Sequence, residues 1–158
     1  MANVLVVDDS SIMRRNLSAI LSNAGHNIIG EANNGELGVR EYIRRKPDLV
    51  TMDITMPVLD GISAVKQIIE FDPKAQVIMI SSLDQKSMVL TALQYGARHY
   101  VIKPFSPEKV LQVIDNVLNA SQSKPEKPID SIDNTISDIS FSINNINASI
   151  KQLDTESE

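Results

Sequence analysis

Five times between residues 1 and 120 a short apolar run gives way to a segment of helical period, and this alternation leaves few architectures open. The runs lie at 3–7, 27–31, 48–52, 76–80 and 99–102. The first, third and fourth are near-continuous, as expected of parallel strands covered on both faces. Among the intervening segments, Ile12, Leu17, Ile20 and Leu21 share one helical face, and Ile62, Val65, Ile68 and Ile69 share another. Val110, Val113, Ile114, Val117 and Leu118 share a third. The punctuation agrees. Ser10 or Ser11 caps the first helix and Gly25 ends it. Asp60-Gly61 opens the third, and Asp72-Pro73 closes it because proline cannot continue a helix. Gly96 closes the fourth, and Ser106-Pro107-Glu108 opens the fifth with a cap donor and an early proline.

Alternating β and α units joined by right-handed crossovers predict an α/β fold, a doubly wound five-stranded parallel sheet. In the flavodoxin-like order, 2-1-3-4-5, strand order reverses between strands one and three, where such sheets bind ligands. Asp8 and Asp9 follow the run Val4–Val7, Asp53 follows Leu49–Met52, Ser81 follows Val77–Ile80, and Lys103 follows Tyr100–Ile102. Strand ends of one polarity lie on one edge of a parallel sheet, so these residues converge there. Each alone has a plainer role: dipole charge for Asp8 and Asp9, a loop cap for Asp53, a turn for Ser81, a surface position for Lys103. Together they give three carboxylates, a hydroxyl and an ammonium. That set suits a divalent cation and a phosphoryl group. Mg²⁺ prefers hard oxygen ligands, which Asp9 and Asp53 offer directly and Asp8 through water. An ionised Asp53 is itself a nucleophile toward phosphorus and needs no general base.

Composition narrows the classes further. The chain has 158 residues, of which 42% are hydrophobic, and no cysteine, which excludes disulfides, thiolate metal sites and a cysteine nucleophile. A cysteine-free chain fits the cytoplasm. The N-terminus enters a strand-like run with no signal-peptide pattern, and no apolar run is long enough to span a bilayer. Arg44-Arg45-Lys46 is the only basic triplet and reads as a solvated helix end, not a nucleic-acid patch.

The composition changes after Ala120. Residues 1–120 read as one domain and 121–128, Ser-Gln-Ser-Lys-Pro-Glu-Lys-Pro, as a linker. Residues 129–158 read as an amphipathic, heptad-patterned tail. Ile129, Ile132, Ile136, Ile139, Ile143, Ile146, Ile150 and Leu153 keep an unbroken a/d spacing. The residues between are mostly Ser, Asn and Asp, poor helix formers, so such a helix needs a partner for its stripe. Self-association as a coiled coil, docking in a groove of a partner or of the first domain, and a membrane-surface helix remain open. An acidic polar face counts against the last.

Four stretches together resemble the receiver domain of two-component response regulators. They are Val6-Val7-Asp8-Asp9-Ser10, Met52-Asp53-Ile54-Thr55-Met56-Pro57-Val58-Leu59-Asp60-Gly61, Ile80-Ser81-Ser82 and Tyr100-Val101-Ile102-Lys103-Pro104-Phe105. The resemblance covers residues 1–120 and is closest to the stand-alone chemotaxis type, since no effector domain follows. It implies that Asp53 is the phosphoacceptor. Asp8, Asp9, Asp53 and the carbonyl of Thr55 would hold Mg²⁺, and Ser81 and Lys103 would bind the phosphoryl group. A cis Lys103-Pro104 peptide is implied as well. The resemblance further implies a phosphohistidine donor on a histidine kinase or phosphotransfer protein, and hydrolysis of the acyl phosphate by the domain itself. Ser81 and Tyr100 would act as switch residues, with an output face of the fourth helix, fifth strand and fifth helix for a downstream protein target. Leu83 and Thr55 occupy positions that tune lifetime in this family, and an apolar Leu83 does not orient water. A phosphate sink that only drains a kinase is an alternative. A phosphatase working through an aspartyl phosphate is another, although such enzymes place two acids two residues apart, not adjacent as in Asp8-Asp9.

Overall fold

The computed structural model describes residues 1–122, with side chains as far as Ala120. The heptad-patterned tail and most of the segment read as a linker lie outside the described residues. The chain divides into two units, Met1–Val117 and Leu118–Glu158, and of the second only the end of the last helix is described.

In chain order the elements are β1 (Asn3–Val7), α1 (Ser11–Asn23), β2 (Asn27–Ala32), α2 (Gly35–Arg45), β3 (Leu49–Asp53) and α3 (Gly61–Phe71). They continue with β4 (Val77–Ser82), a 3₁₀ turn (Leu83–Gln85), α4 (Lys86–Gln94), β5 (His99–Lys103) and α5 (Pro107–Gln122). The five strands form one parallel sheet in the order β2-β1-β3-β4-β5, the flavodoxin-like arrangement. The three central strands are those with near-continuous apolar runs, and their residues are buried almost throughout.

Local chemistry sets the helix ends. The Ser10 hydroxyl accepts from the Met13 amide at 3.2 Å, and the Asp60 carboxylate accepts from Ser63 at 2.8 Å. Ser106 does the same for Lys109 at 3.2 Å, so three of the caps read from sequence are made. Each such cap stabilises a helix by roughly 1 kcal/mol. Gly25 and Gly96 follow α1 and α4 with φ of 93° and 118°, a region L side chains avoid. Leu17 and Leu21 of α1 are buried as their spacing predicts, but Ile12 is 78% exposed. A helical period marks a face; it does not mark where the covering layer beneath that face ends. The basic triplet closes α2, where Arg44 and Arg45 pair with Glu41 and Lys46 takes a left-handed cap conformation. Among the described residues no helix is long and apolar enough to cross a membrane.

The loop between β3 and α3 contains a strained residue. Val58 has φ of 69°, with the Leu59 amide donating to the Pro57 carbonyl across it at 2.8 Å. A β-branched residue is disfavoured there, and Val58, 75% exposed, gains little from burial in return. Val58→Asn is expected to stabilise the protein by about 1 kcal/mol, because asparagine tolerates this region. Denaturant unfolding checks it; a midpoint at or below that of the parent would show that the loop stores no such strain.

Candidate functional site

The residues predicted to converge do so at the carboxyl edge of the sheet. Asp8 leaves β1 still in the ladder, its amide donating to the Ala32 carbonyl at 3.0 Å. Its carboxylate turns back to accept from the Ser10 amide at 2.9 Å, and the Arg14 guanidinium donates to its carbonyl at 2.7 Å. Arg14 also faces Glu31 at 3.5 Å, so it ties the start of α1 to the ends of β1 and β2. Asp53 is the last residue of β3, not the first beyond it, and its Oδ1 accepts from the Ile54 amide at 3.0 Å. Lys103 likewise closes β5, and its ammonium reaches 3.2 Å from Asp53 Oδ1 and 3.5 Å from Asp8 Oδ2. One carboxylate oxygen from each of Asp8, Asp9 and Asp53 lies within 4.8 Å of the other two.

Ser81, next to last in β4, stands one residue beyond the Asp53–Ile80 register pair. Its hydroxyl is fully buried and has no hydrogen-bond partner. Thr55 is exposed in the loop after β3, where its hydroxyl accepts from the Gln85 amide group at 2.8 Å. Tyr100 is half-buried on β5, packs against the hydrophobic core, and has its ring centroid 5.6 Å from that of His99. The Lys103–Pro104 peptide is cis, as the resemblance implies.

The electrostatics follow from crowding. Asp8 and Asp53 are buried, and Asp9 is exposed. Burial pushes the Asp53 carboxyl up to about 6 and the charge of Asp8 adds to this, while Lys103 and the Ile54 amide pull the other way. Burial likewise raises Asp8, against the Ser10 amide and Lys103. One ammonium, paired with Asp8 and Asp53, against three clustered carboxylates leaves a net negative site. All of its anionic donors are hard oxygens, and one acid is open to solvent, which fits a divalent cation of the Mg²⁺ kind. The sequence reading missed Arg14 and Gln85, whose contacts with Glu31 and Thr55 no local pattern specifies. A faint signal existed for Gln85: it stands three residues after Ser82, the spacing of a capping box.

The sequence matches the response regulator receiver domain over residues 4–115. It is 45% identical over 114 residues to the chemotaxis protein CheY of Thermotoga maritima, covering 72% of this chain and 95% of that one. Against the chemotaxis protein CheY of Bacillus subtilis it is 46% identical over 116 residues, 73% of this chain and 97% of the other. Among solved structures it resembles a chain of the CheX-CheY-BeF3-Mg complex from Borrelia burgdorferi, with a TM-score of 0.70 and 44% identity over 73% of this chain and 87% of that one. A parallel 2-1-3-4-5 sheet, an acidic cluster at its switch point and relatives of this closeness place the chain in the response regulator receiver family.

Proposed function

We propose that Asp53 accepts a phosphoryl group from a phosphohistidine on a partner histidine kinase or phosphotransfer protein, and that the resulting charge change alters which proteins this chain binds. One observation carries the reading: Lys103 bridges Asp53 and Asp8, and one carboxylate oxygen from each of Asp8, Asp9 and Asp53 lies within 4.8 Å of the other two. Both partners of the Asp53 carboxylate sit on Oδ1, so Oδ2 is the atom available to attack. A lone pair of Oδ2 forms the new O–P bond as the P–N bond breaks. The electron pair returns to the imidazole nitrogen, and no proton need leave Asp53. The Lys103 ammonium faces the phosphoryl oxygens as their charge develops, and the unpartnered Ser81 hydroxyl donates to one of them. Asp8, Asp9, Asp53 and the Thr55 carbonyl would hold Mg²⁺, which supplies charge neutralisation on the transferring group. Water later cleaves the acyl phosphate and returns Asp53 to its resting form.

The switch runs through Ser81 and Tyr100 to the face formed by α4, β5 and α5, where a downstream protein target binds. Self-association or docking through 129–153 is a second route to a partner. A chemotaxis pathway, with the cytoplasmic setting that goes with it, is supported by the CheY relatives at 45% and 46% identity. The test is labelling with acetyl phosphate and Mg²⁺, read by intact mass and peptide mapping. One phosphoryl group is expected, on Asp53, and Asp53→Asn should remove it. Undiminished labelling of that variant, or label on Asp8, would overturn the assignment; the second result would point to phosphatase-type chemistry.

A further inference from the structure

We propose that Gln85 is a positioning residue for phosphoryl transfer: its side chain bridges the two loops beside Asp53 and holds the Ser81 hydroxyl back from the oxygens it must reach. The inference rests on the assignment of Asp53 as phosphoacceptor. Gln85 Nε2 donates to Thr55 Oγ1 at 2.8 Å, in the loop that follows the phosphoacceptor. Gln85 Oε1 accepts from the Ser82 amide, also at 2.8 Å. That amide belongs to the peptide unit joining Ser81 to Ser82, so the bond fixes the plane from which the Ser81 side chain springs.

Three observations make this bridge more than a cap. First, the 3₁₀ turn Leu83–Gln85 buries none of its residues, and Leu83 is 65% exposed, so apolar packing does not anchor it. The two side-chain bonds of Gln85 tie this turn to the end of β4 and to the loop after β3. Second, the bridge ends on Thr55, two residues from Asp53, so moving the turn disturbs the loop that would supply a metal-binding carbonyl. Third, while the bridge is made, the Ser81 hydroxyl stays buried without a partner. An unpaired buried hydroxyl is unfavourable. An oxygen arriving on Asp53 removes that cost only if Ser81 can advance toward it. The bridge therefore favours the resting arrangement, and phosphorylation works against it. A net side-chain hydrogen bond changes an equilibrium by a factor of about 3–10.

The experiment uses the full chain and titrates beryllofluoride, a phosphoryl mimic, at saturating Mg²⁺ by calorimetry. Gln85→Ala is expected to bind the mimic about threefold more tightly than the parent. Thr55→Val, which keeps the Ser82 cap but removes the acceptor of the bridge, should show a similar gain. The double variant should show no more than Gln85→Ala alone, because the bond that Thr55→Val deletes is one of the two that Gln85→Ala already removes. Thermal unfolding is read alongside: a merely structural role would lower the melting temperature without tightening binding. Unchanged or weaker binding by Gln85→Ala, or additive effects in the double variant, overturns the role of Gln85. A parent protein that fails to bind beryllofluoride with Mg²⁺ instead overturns the assignment of Asp53.

Discussion

Gly61→Ala is expected to destabilise the protein by about 3–4 kcal/mol, a large share of the stability of a domain this size. A Cβ at this position would lie 1.9 Å from the carbonyl oxygen of Asp53 and 2.9 Å from its carbonyl carbon. These are backbone atoms of a buried strand, with no rotamer into which to retreat. The Gly61 amide also donates to the Ile54 carbonyl at 2.7 Å, which clamps the start of α3 against the end of β3. Helix propensity argues in the opposite direction: alanine is favoured over glycine in a helix by about 1 kcal/mol. The two effects differ in sign, so a melting curve separates them. An unchanged or higher melting temperature for Gly61→Ala would mean that the clamp is not there. Relief of the clash must displace Asp53 itself, so any folded fraction should also label more slowly with acetyl phosphate.

The second large effect is a pH dependence of the metal-free protein. The Asp53 carboxyl rises from 3.8 to about 6 on folding, chiefly through burial. Between those values the native state binds more protons than the unfolded one, so stability falls as pH increases. The contribution is fully present below about pH 4 and is lost as pH passes through about 6. It amounts to about 2–3 kcal/mol for this group, with Asp8 shifted in the same direction. Asp53→Asn removes the titrating carboxyl. The variant should be the more stable of the two at pH 7 in a chelator, with the difference shrinking toward pH 4. Mg²⁺ should narrow the gap at pH 7 by stabilising the parent. Denaturant unfolding of both proteins across this window tests it. A gap that is constant with pH, or that widens toward acid, would show that the carboxylates are not crowded as described.

Much of this was legible in the sequence because the signals were local. Continuous apolar runs such as Val4–Val7 need burial on both faces, and residues such as Asp60 and Ser106 cap helices through bonds to their immediate neighbours. The acidic cluster was legible at one remove: strand polarity alone brings Asp8 and Asp53 to the same edge. The illegible features depend on distances between segments. Gln85 meets Thr55 across 30 positions of sequence, and Arg14 reaches back to the Asp8 carbonyl only once α1 turns over the sheet. The backbone of Val58 could not be anticipated, because a β-branched side chain is a poor indicator of positive φ. Ile12 carried a correct periodicity to a place where no layer lay beneath it.

The outermost strand β2 pairs with β1 irregularly. Val4 faces Ile28 and Leu5 faces Gly30, so Ile29 is stepped over in the ladder. Arg45 then places its guanidinium on the Ile29 carbonyl at 2.6 Å, with its Cδ 3.1 Å from where a Cβ on Gly30 would sit. A flat rim of unpaired amides and carbonyls invites a foreign strand to zip alongside; a kinked rim with a charged lid over one of its acceptors is a poor template. The register step and the Arg45 guanidinium thus make the β2 edge a poor template for an added strand.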